Sequence, residues 1–224
     1  MDVHNPATTV PPVQSDSGSR GERTRERLLD LAYESVIRKG FAATSVEELV
    51  EAGRITKSGF FYHFRDKNDL ARQMLERYLS DDIEVTRSMA LRARELNDDP
   101  LHAYLVFLKF YAEMIDEVAR TKPGCLIATV AFQKQAFAPE VGRINDQIVR
   151  AWRQSTVSWL EEIARAYPPE EEVDLRELAD GFIALAIGGL AIAKAIDEPG
   201  AAARQVLVYR DLVRRLFSPA RAQG

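Results

Sequence analysis

The stretch from residue 56 to residue 67 holds the side chains whose types and spacing best suit chemistry. Hydroxyl, ammonium, phenol and imidazole groups follow one another there, at Thr56, Lys57, Ser58, Tyr62 and His63. Such groups donate hydrogen bonds to phosphate oxygens, and a lysine also reaches the acceptor edge of guanine. Aromatic rings between them suit contact with a thymine methyl group. The composition therefore predicts double-stranded DNA as a partner.

A glycine within the same stretch supports this interpretation. A glycine inside a helix costs about 1 kcal/mol relative to alanine, so its presence at Gly59 favours a site that a second backbone approaches closely. Phe60 and Phe64 are four residues apart and are predicted to point into a core. Phe61 is left on the outer side with the polar groups.

Catalytic chemistry finds little support elsewhere in the chain. There is one cysteine, and the three histidines, His4, His63 and His102, are too scattered to suggest a metal site. No Ser-His-acid, Cys-His or paired-carboxylate spacing is present. We therefore predict no enzyme, no catalytic residue, no metal and no cofactor. A helical interaction module without DNA affinity is the other non-enzyme class, and the basic stretch from Lys57 to Lys67 argues against it.

The elements that position these residues are predicted to be helices. Apolar residues recur at spacings of three and four from residue 22 onward, and no stretch alternates with period two. We predict an all-α fold of about nine helices. Helix starts are predicted from capping residues at 44–47, Thr56, Asp66, Asp99-Pro100, Ala138-Pro139 and Asp174.

A longer helix followed by two short helices and a tight turn is the arrangement of a helix-turn-helix reader. Residues 20–67 carry ten basic and eight acidic groups, although the whole chain of 224 residues has a net charge of −4. We predict a flexible polar tail at 1–20, a helix-turn-helix domain at 21–67, and a ligand-binding and dimerisation domain at 68–224. The tail has no apolar segment of the kind that secretory signals contain.

Residues 22–79 resemble the N-terminal domain of the TetR/AcrR family of bacterial transcriptional regulators. The matching stretches are 24–29 with Ala32, 40–41, 44–46, 55–57, and 62–67 with Leu70. The resemblance implies an all-helical homodimer with a three-helix DNA-binding domain and a divergent ligand-binding domain. Because a two-fold dimer presents two recognition helices, we expect it to bind an inverted-repeat operator.

Residue roles follow from the resemblance by position. It implies base reading by Lys57 and Ser58, and phosphate contacts by Thr44 and Lys67. Two departures alter the pattern: Phe61 replaces a common tyrosine, and Arg54 stands where the turn usually has glycine. The predicted DNA-binding residues are Thr44, Arg54, Thr56, Lys57, Ser58, Gly59, Phe61, Tyr62, His63 and Lys67.

The helix predicted at 101–117 is apolar nearly all round, which is typical of a buried helix. It is either a plain core helix or a helix whose aromatic side lines a ligand cavity. Under the second interpretation, the ligand-binding residues are Tyr104, Phe107, Tyr111, Met114, Cys125, Phe132 and Trp152. Cys125 is either a small apolar residue or a redox sensor.

The run 182–193 is wholly apolar but too short for a membrane span of ~20 residues, and Lys194 ends it. We interpret it as a helix buried by its own core and by a partner subunit. The predicted interface residues are Phe182, Leu185, Gly188, Gly189, Ile192, Val208 and Leu212. A long helix at 139–165 is the alternative interface.

These observations together predict a cytoplasmic, homodimeric regulator with no membrane partner. We expect a repressor that a small, largely apolar effector releases from its inverted-repeat operator.

Overall fold

The computed structural model describes residues 19–122 and 124–217, which form nine α-helices, one 3-10 turn and no β-strand. This confirms the predicted all-α fold. The predicted tail lies outside the described residues except for Ser19 and Arg20, which begin the first helix. The helices are α1 Arg20–Lys39, α2 Val46–Ala52, α3 Lys57–His63, α4 Lys67–Leu96, α5 Pro100–Thr121, α6 Leu126–Phe132, α7 Pro139–Ala166, α8 Leu175–Ala195 and α9 Gly200–Phe217, with the 3-10 turn at Lys134–Ala136.

Side-chain caps set most of the helix starts. Asp66 accepts a hydrogen bond from the Asp69 amide at 2.8 Å, and Asp99 accepts one from the His102 amide at 2.8 Å. Asp174 caps α8 in the same way. Each acceptor satisfies a free N–H group of the first turn. These three predicted caps are confirmed.

The buried apolar side chains form two clusters, and α4 contributes to both. The first cluster joins α1, α2 and α3 to the first half of α4, α6 and the start of α7. The second lies among α5, the second half of α7, α8 and α9, and it includes Ala93 near the end of α4. The core of the helix-turn-helix therefore continues directly into the remainder of the chain.

Ion pairs fasten the first half of α4 to α1. The Arg77 guanidinium lies 2.8 Å from Glu26 and 2.6 Å from Asp30, and Arg25 donates to Gln73 at 2.9 Å. Because these contacts add to a shared apolar core, α1 and the start of α4 form one unit.

Among the described helices, α8 alone has the length and composition of a membrane span. Its buried residues Ala179, Phe182, Ala186, Gly189 and Ala193 recur at spacings of three and four, as on one face of a helix. That face packs in the second core cluster. The apolar composition of this side is accounted for by packing within the chain.

Candidate nucleic-acid interface and internal cavity

Two hydroxyl caps and three buried apolar side chains position α2 and α3. Ser45 Oγ accepts from the Glu48 amide at 3.1 Å, so the cap of α2 lies one residue after the predicted Thr44. Thr56 Oγ1 accepts from the Gly59 amide at 3.0 Å and begins α3 as predicted. Leu49, Phe60 and Phe64 are buried in the first core cluster. This confirms that Phe60 and Phe64 point inward and leaves the other side of α3 at the surface.

In the turn between α2 and α3, one residue has the left-handed backbone conformation and another has no room for a side chain. Arg54 adopts φ 51°, the left-handed conformation that favours glycine. Gly53 has an ordinary φ, but a Cβ there would lie 2.8 Å from the Leu49 carbonyl and 3.0 Å from Leu28. Arg27 of α1 donates to the Gly53 carbonyl at 2.6 Å. Close packing therefore explains glycine at 53, and the left-handed residue is the arginine.

Most of the predicted DNA-binding residues lie together on the outer side of this motif. The exposed ones are Arg54, Thr56, Lys57, Ser58, Phe61 and Tyr62, and the half-buried ones are Gly59, His63 and Lys67. Tyr62 is 83 % exposed, so its hydroxyl projects into solvent. Burial beside the Arg25 charge lowers the pKa of His63, which favours a neutral imidazole at pH 7.

Thr44 does not belong to this surface. Its side chain is buried, its Oγ1 donates to the Gly40 carbonyl at 3.0 Å, and it lies 2.9 Å from Ser35 Oγ. The hydroxyl closes the loop between α1 and α2. This corrects the predicted phosphate contact of its side chain, because the group is enclosed and already bonded.

Lys67 is engaged within the chain at the start of α4. Its Nζ donates to the carbonyls of Phe41 and Thr44 at 2.7 and 2.8 Å and lies 4.2 Å from the centre of the Phe41 ring. Burial lowers the pKa of this ammonium group. With three donors on the ammonium, one remains for a phosphate after the two loop carbonyls are satisfied.

Lys57, by contrast, is held by an exposed ion pair. Its Nζ lies 2.7 Å from Glu47 Oε1 on α2, and the hydrogen bond to Lys57 lowers the pKa of Glu47. A nucleic acid that contacts Lys57 therefore competes with a carboxylate of the same protein.

A cavity of about 430 Å³ lies between α4, α5, α7 and α8. Of the predicted ligand-binding residues, Phe107, Tyr111, Met114, Cys125 and Trp152 line it. Two of the predicted residues, Tyr104 and Phe132, do not line it. Tyr104 is fully buried one layer behind, with its ring against Phe107 and Trp159, and Phe132 at the end of α6 is 87 % exposed.

The sequence analysis missed several lining residues, including Tyr78, Asp82, Thr156 and Trp159. Asp82 follows Met74 and Tyr78 at spacings of four, so it continues an inward-facing stripe of α4. A carboxylate in such an otherwise apolar stripe could have indicated from the sequence that Asp82 lines a cavity. The Trp152 indole N–H donates to Asp82 Oδ2 at 2.5 Å, and burial raises the pKa of this carboxyl group.

Cys125 borders the cavity immediately before α6. Burial raises the pKa of its thiol, although the amides of Ala128 and Ile127 oppose the shift. The thiol therefore keeps its proton at neutral pH, as expected of a small apolar residue.

The predicted interface residues fall into two groups. Ile192, Val208 and Leu212 are exposed, and Leu185 and Gly188 are half-buried. Phe182 is buried and lines the cavity, and a Cβ on Gly189 would lie 3.0 Å from Ala202 of α9 in the same chain. These two predictions are corrected, because both residues pack inside the subunit.

The family model for bacterial regulatory proteins of the tetR family matches residues 28–74, which span the helix-turn-helix and the start of α4. The transcriptional regulator AcuR of Cereibacter sphaeroides is 24 % identical over 194 residues, covering 79 % of this chain and 83 % of that protein. The HTH-type transcriptional regulator AcrR of Shigella flexneri is 33 % identical over 124 residues, covering 55 % of each chain.

A TetR-family transcriptional regulator from Agrobacterium tumefaciens has a similar structure, with a TM-score of 0.72 at 18 % identity. The match covers 88 % of this chain and all of that one (100 %). These relatives and fold neighbours are DNA-binding transcriptional regulators, which are not enzymes. Sequence and fold agree with the helix-turn-helix geometry, and the matched family model, the relatives and the fold neighbours together indicate a transcriptional regulator of the TetR family.

Proposed function

We propose that this protein is a cytoplasmic, homodimeric repressor that a small, largely apolar molecule releases from an inverted-repeat operator. The observation that carries the proposal is the position of α4. Residues of this helix from Tyr78 to Ala90 line the cavity, while its first turns share a core with α1 and α3. One helix thus connects a site for a ligand with the surface for DNA.

The DNA-binding side uses the exposed side of α3 and the turn before it. Lys57 and Ser58 are proposed to contact base edges, and Arg54 and Tyr62 are proposed to contact phosphates. Phe61 supplies an apolar surface for a thymine methyl group or a sugar. We divide the chain functionally into this domain at 21–67 and a ligand-binding and dimerisation domain at 68–224.

The dimer is proposed to form through α8 and α9. Exposed apolar side chains lie on both helices, with Ile192 on α8 and Val208 and Leu212 on α9. An exposed apolar patch on a soluble protein marks an interaction site. In contrast, α7 carries none of the described large apolar side chains that are exposed, which argues against the alternative interface. A two-fold dimer presents two recognition helices about 34 Å apart, or a multiple of that spacing.

Release requires that the ligand bind one dimer geometry more tightly than the other. Occupation of the cavity moves α4 relative to α5, α7 and α8, and the ion pairs of Arg77 carry that movement to α1. A coupling of about 1–3 kcal/mol changes operator affinity roughly 5–150-fold.

The first test measures binding to the DNA upstream of the protein's own coding region by fluorescence anisotropy. Lys57→Ala is expected to weaken operator binding by about 1–3 kcal/mol and to relax base preference. Lys109→Ala is the matched control, because it removes the same charge from an exposed position on α5. Equal affinity of Lys57→Ala and wild type contradicts the proposed DNA surface.

The second test screens small apolar molecules for release of that DNA. Tyr111→Ala alters the cavity wall and is expected to shift the concentration that releases the operator. Phe132→Ala is the control, because this exposed ring lies outside the cavity. If Tyr111→Ala and wild type respond identically to every molecule, the cavity is not the effector site.

A further inference from the structure

Asp82 is the single carboxylate among the described residues that line the cavity. It is half-buried on the inward-facing stripe of α4, and the described hydrogen-bond partner of its carboxylate is the neutral indole of Trp152. No ion pair of Asp82 occurs within the described residues. A carboxylate partly removed from water is unfavourable without a compensating charge. Packing alone would favour an apolar residue at this position.

Aromatic rings form much of the wall around this carboxylate. Six of the lining residues are aromatic, namely Tyr78, Phe107, Tyr111, Trp152, Trp159 and Phe182. The face of an aromatic ring carries partial negative charge and attracts cations. One of these six rings already makes such a contact, because the Arg94 guanidinium lies 3.8 Å from the centre of the Trp159 ring.

Arg87 is the one basic residue among the lining residues that the structure describes. It is exposed, so water and salt screen its charge more strongly than that of half-buried Asp82. An anionic ligand drawn into the cavity would approach Asp82 and meet repulsion. The charge distribution therefore favours a positive group on the part of a ligand that lies beside Asp82.

We propose that the effector is a small organic cation, in which a protonated amine is joined to an aromatic or aliphatic body. Asp82 is its counter-ion, and the aromatic rings enclose the amine and the body. This assignment rests on the proposed function, because it names the chemical class of the molecule that occupies the same cavity.

The test uses the intrinsic fluorescence of the full chain. Its two tryptophans, Trp152 and Trp159, both line the cavity, so quenching reports occupation directly. The probes are 4-phenylbutylamine, 4-phenylbutan-1-ol and 4-phenylbutyrate, which share one body and differ in charge. The amine is expected to bind about tenfold more tightly than the alcohol, and the carboxylate is expected to bind most weakly.

Asp82→Asn keeps the size of the side chain and an acceptor for Trp152 but removes the charge. It is expected to weaken amine binding about 30-fold and to leave alcohol binding unchanged. Asp81→Asn is the matched control, because it removes the same charge from an exposed neighbour on α4 that does not line the cavity. It should bind all three probes as wild type does.

Equal binding of the three probes, tightest binding of the carboxylate, or no binding by any of them overturns the proposal. So does an Asp82→Asn variant that keeps the amine affinity. Operator binding measured in parallel separates this assignment from the proposed function. Amine binding that depends on Asp82 but does not release DNA supports the cationic ligand and contradicts ligand-controlled repression. Release of DNA by the alcohol or the carboxylate but not by the amine supports ligand-controlled repression and contradicts the cationic ligand.

Discussion

The Gln133 side chain accepts a hydrogen bond at 3.1 Å from the backbone N–H of Phe41. This contact joins the end of α6 to the loop between α1 and α2. Phe137 strengthens the junction by stacking on the Phe41 ring at a centroid distance of 4.2 Å. Cys125 precedes the same seven-residue helix at the cavity, so α6 is a second connection, besides α4, between the cavity and the helix-turn-helix.

Substitution of Gly40 tests this junction. Gly40 has φ 88° and ψ 162°, a region almost restricted to glycine, and a Cβ there would lie 2.6 Å from the Gln133 amide group. Gly40→Ala is expected to lower the free energy of unfolding by about 1–3 kcal/mol, measured by urea denaturation. Gly181→Ala in α8, with open space around its Cβ, should be neutral or stabilising. Equal stability of the two variants would mean that neither the backbone conformation of Gly40 nor its contact with Gln133 requires glycine.

Arg54 separates stability from DNA affinity. Arg54→Gly is expected to raise the free energy of unfolding by about 1 kcal/mol, because the left-handed conformation costs a residue with a Cβ. The same variant should bind DNA more weakly, with a salt slope reduced by about 1. Arg54→Ala keeps the strain, so it should lose affinity without gaining stability. If Arg54→Ala gains as much stability as Arg54→Gly, backbone strain at residue 54 is not the cause of the gain.

Glu47→Gln is expected to increase DNA affinity a few-fold. The substitution frees Lys57 from its ion pair and removes a negative charge beside the recognition helix. Anisotropy titrations at low and high salt should show a larger difference at low salt, because the pair is exposed. Glu84→Gln on the exposed side of α4 is the charge-matched control. Unchanged binding by Glu47→Gln would mean that Lys57 does not contact DNA.

Val208→Glu tests the dimer face. The side chain is 57 % exposed in the subunit, so a carboxylate there should not disturb folding but should be buried at the interface and repel its symmetry mate. Sedimentation velocity is expected to detect monomers and operator binding to weaken. Leu91→Glu on α4 changes a residue that is 54 % exposed and should remain dimeric. A dimeric Val208→Glu protein would contradict a dimer interface at this position of α9.

The raised pKa of Cys125 predicts slow alkylation. A higher pKa lowers the thiolate fraction at a given pH, and the thiolate is the reactive form. Iodoacetamide at pH 8 is expected to modify the folded protein more slowly than N-acetylcysteine, and the rate should still be rising with pH where that of the reference levels off. Urea should abolish the difference. Rapid modification in the folded state would favour the redox-sensor interpretation instead.

Local patterns predicted the helices because caps and apolar spacing act within a few residues. Thr56, Asp66, Asp99 and Asp174 cap helices as predicted, because each accepts a hydrogen bond from an amide two or three residues later. Phe60 and Phe64 pack inward because residues four apart share one face of a helix. The exposed side of α3 follows from the same periodicity.

Contacts between segments that are distant in the sequence decided which apolar residues lie in the core, at the cavity or at the surface. Gly189 and Phe182 belong to an apolar run whose composition is compatible with either an interface or a core, and the position of α9 and the cavity places both inside the subunit. Phe132 has an aromatic ring suited to a pocket, yet it lies at the exposed end of α6.

The sequence by itself therefore determined the helical elements, the caps at Thr56, Asp66, Asp99 and Asp174, and the exposed side of α3. Only the tertiary structure decided that Asp82 and Trp152, 70 positions apart, meet in one cavity, and that Thr44 and Lys67 close a loop. Periodicity identifies the buried side of a helix but does not identify what lies against it. That choice depends on how long helices cross, which is a property of the whole packed chain.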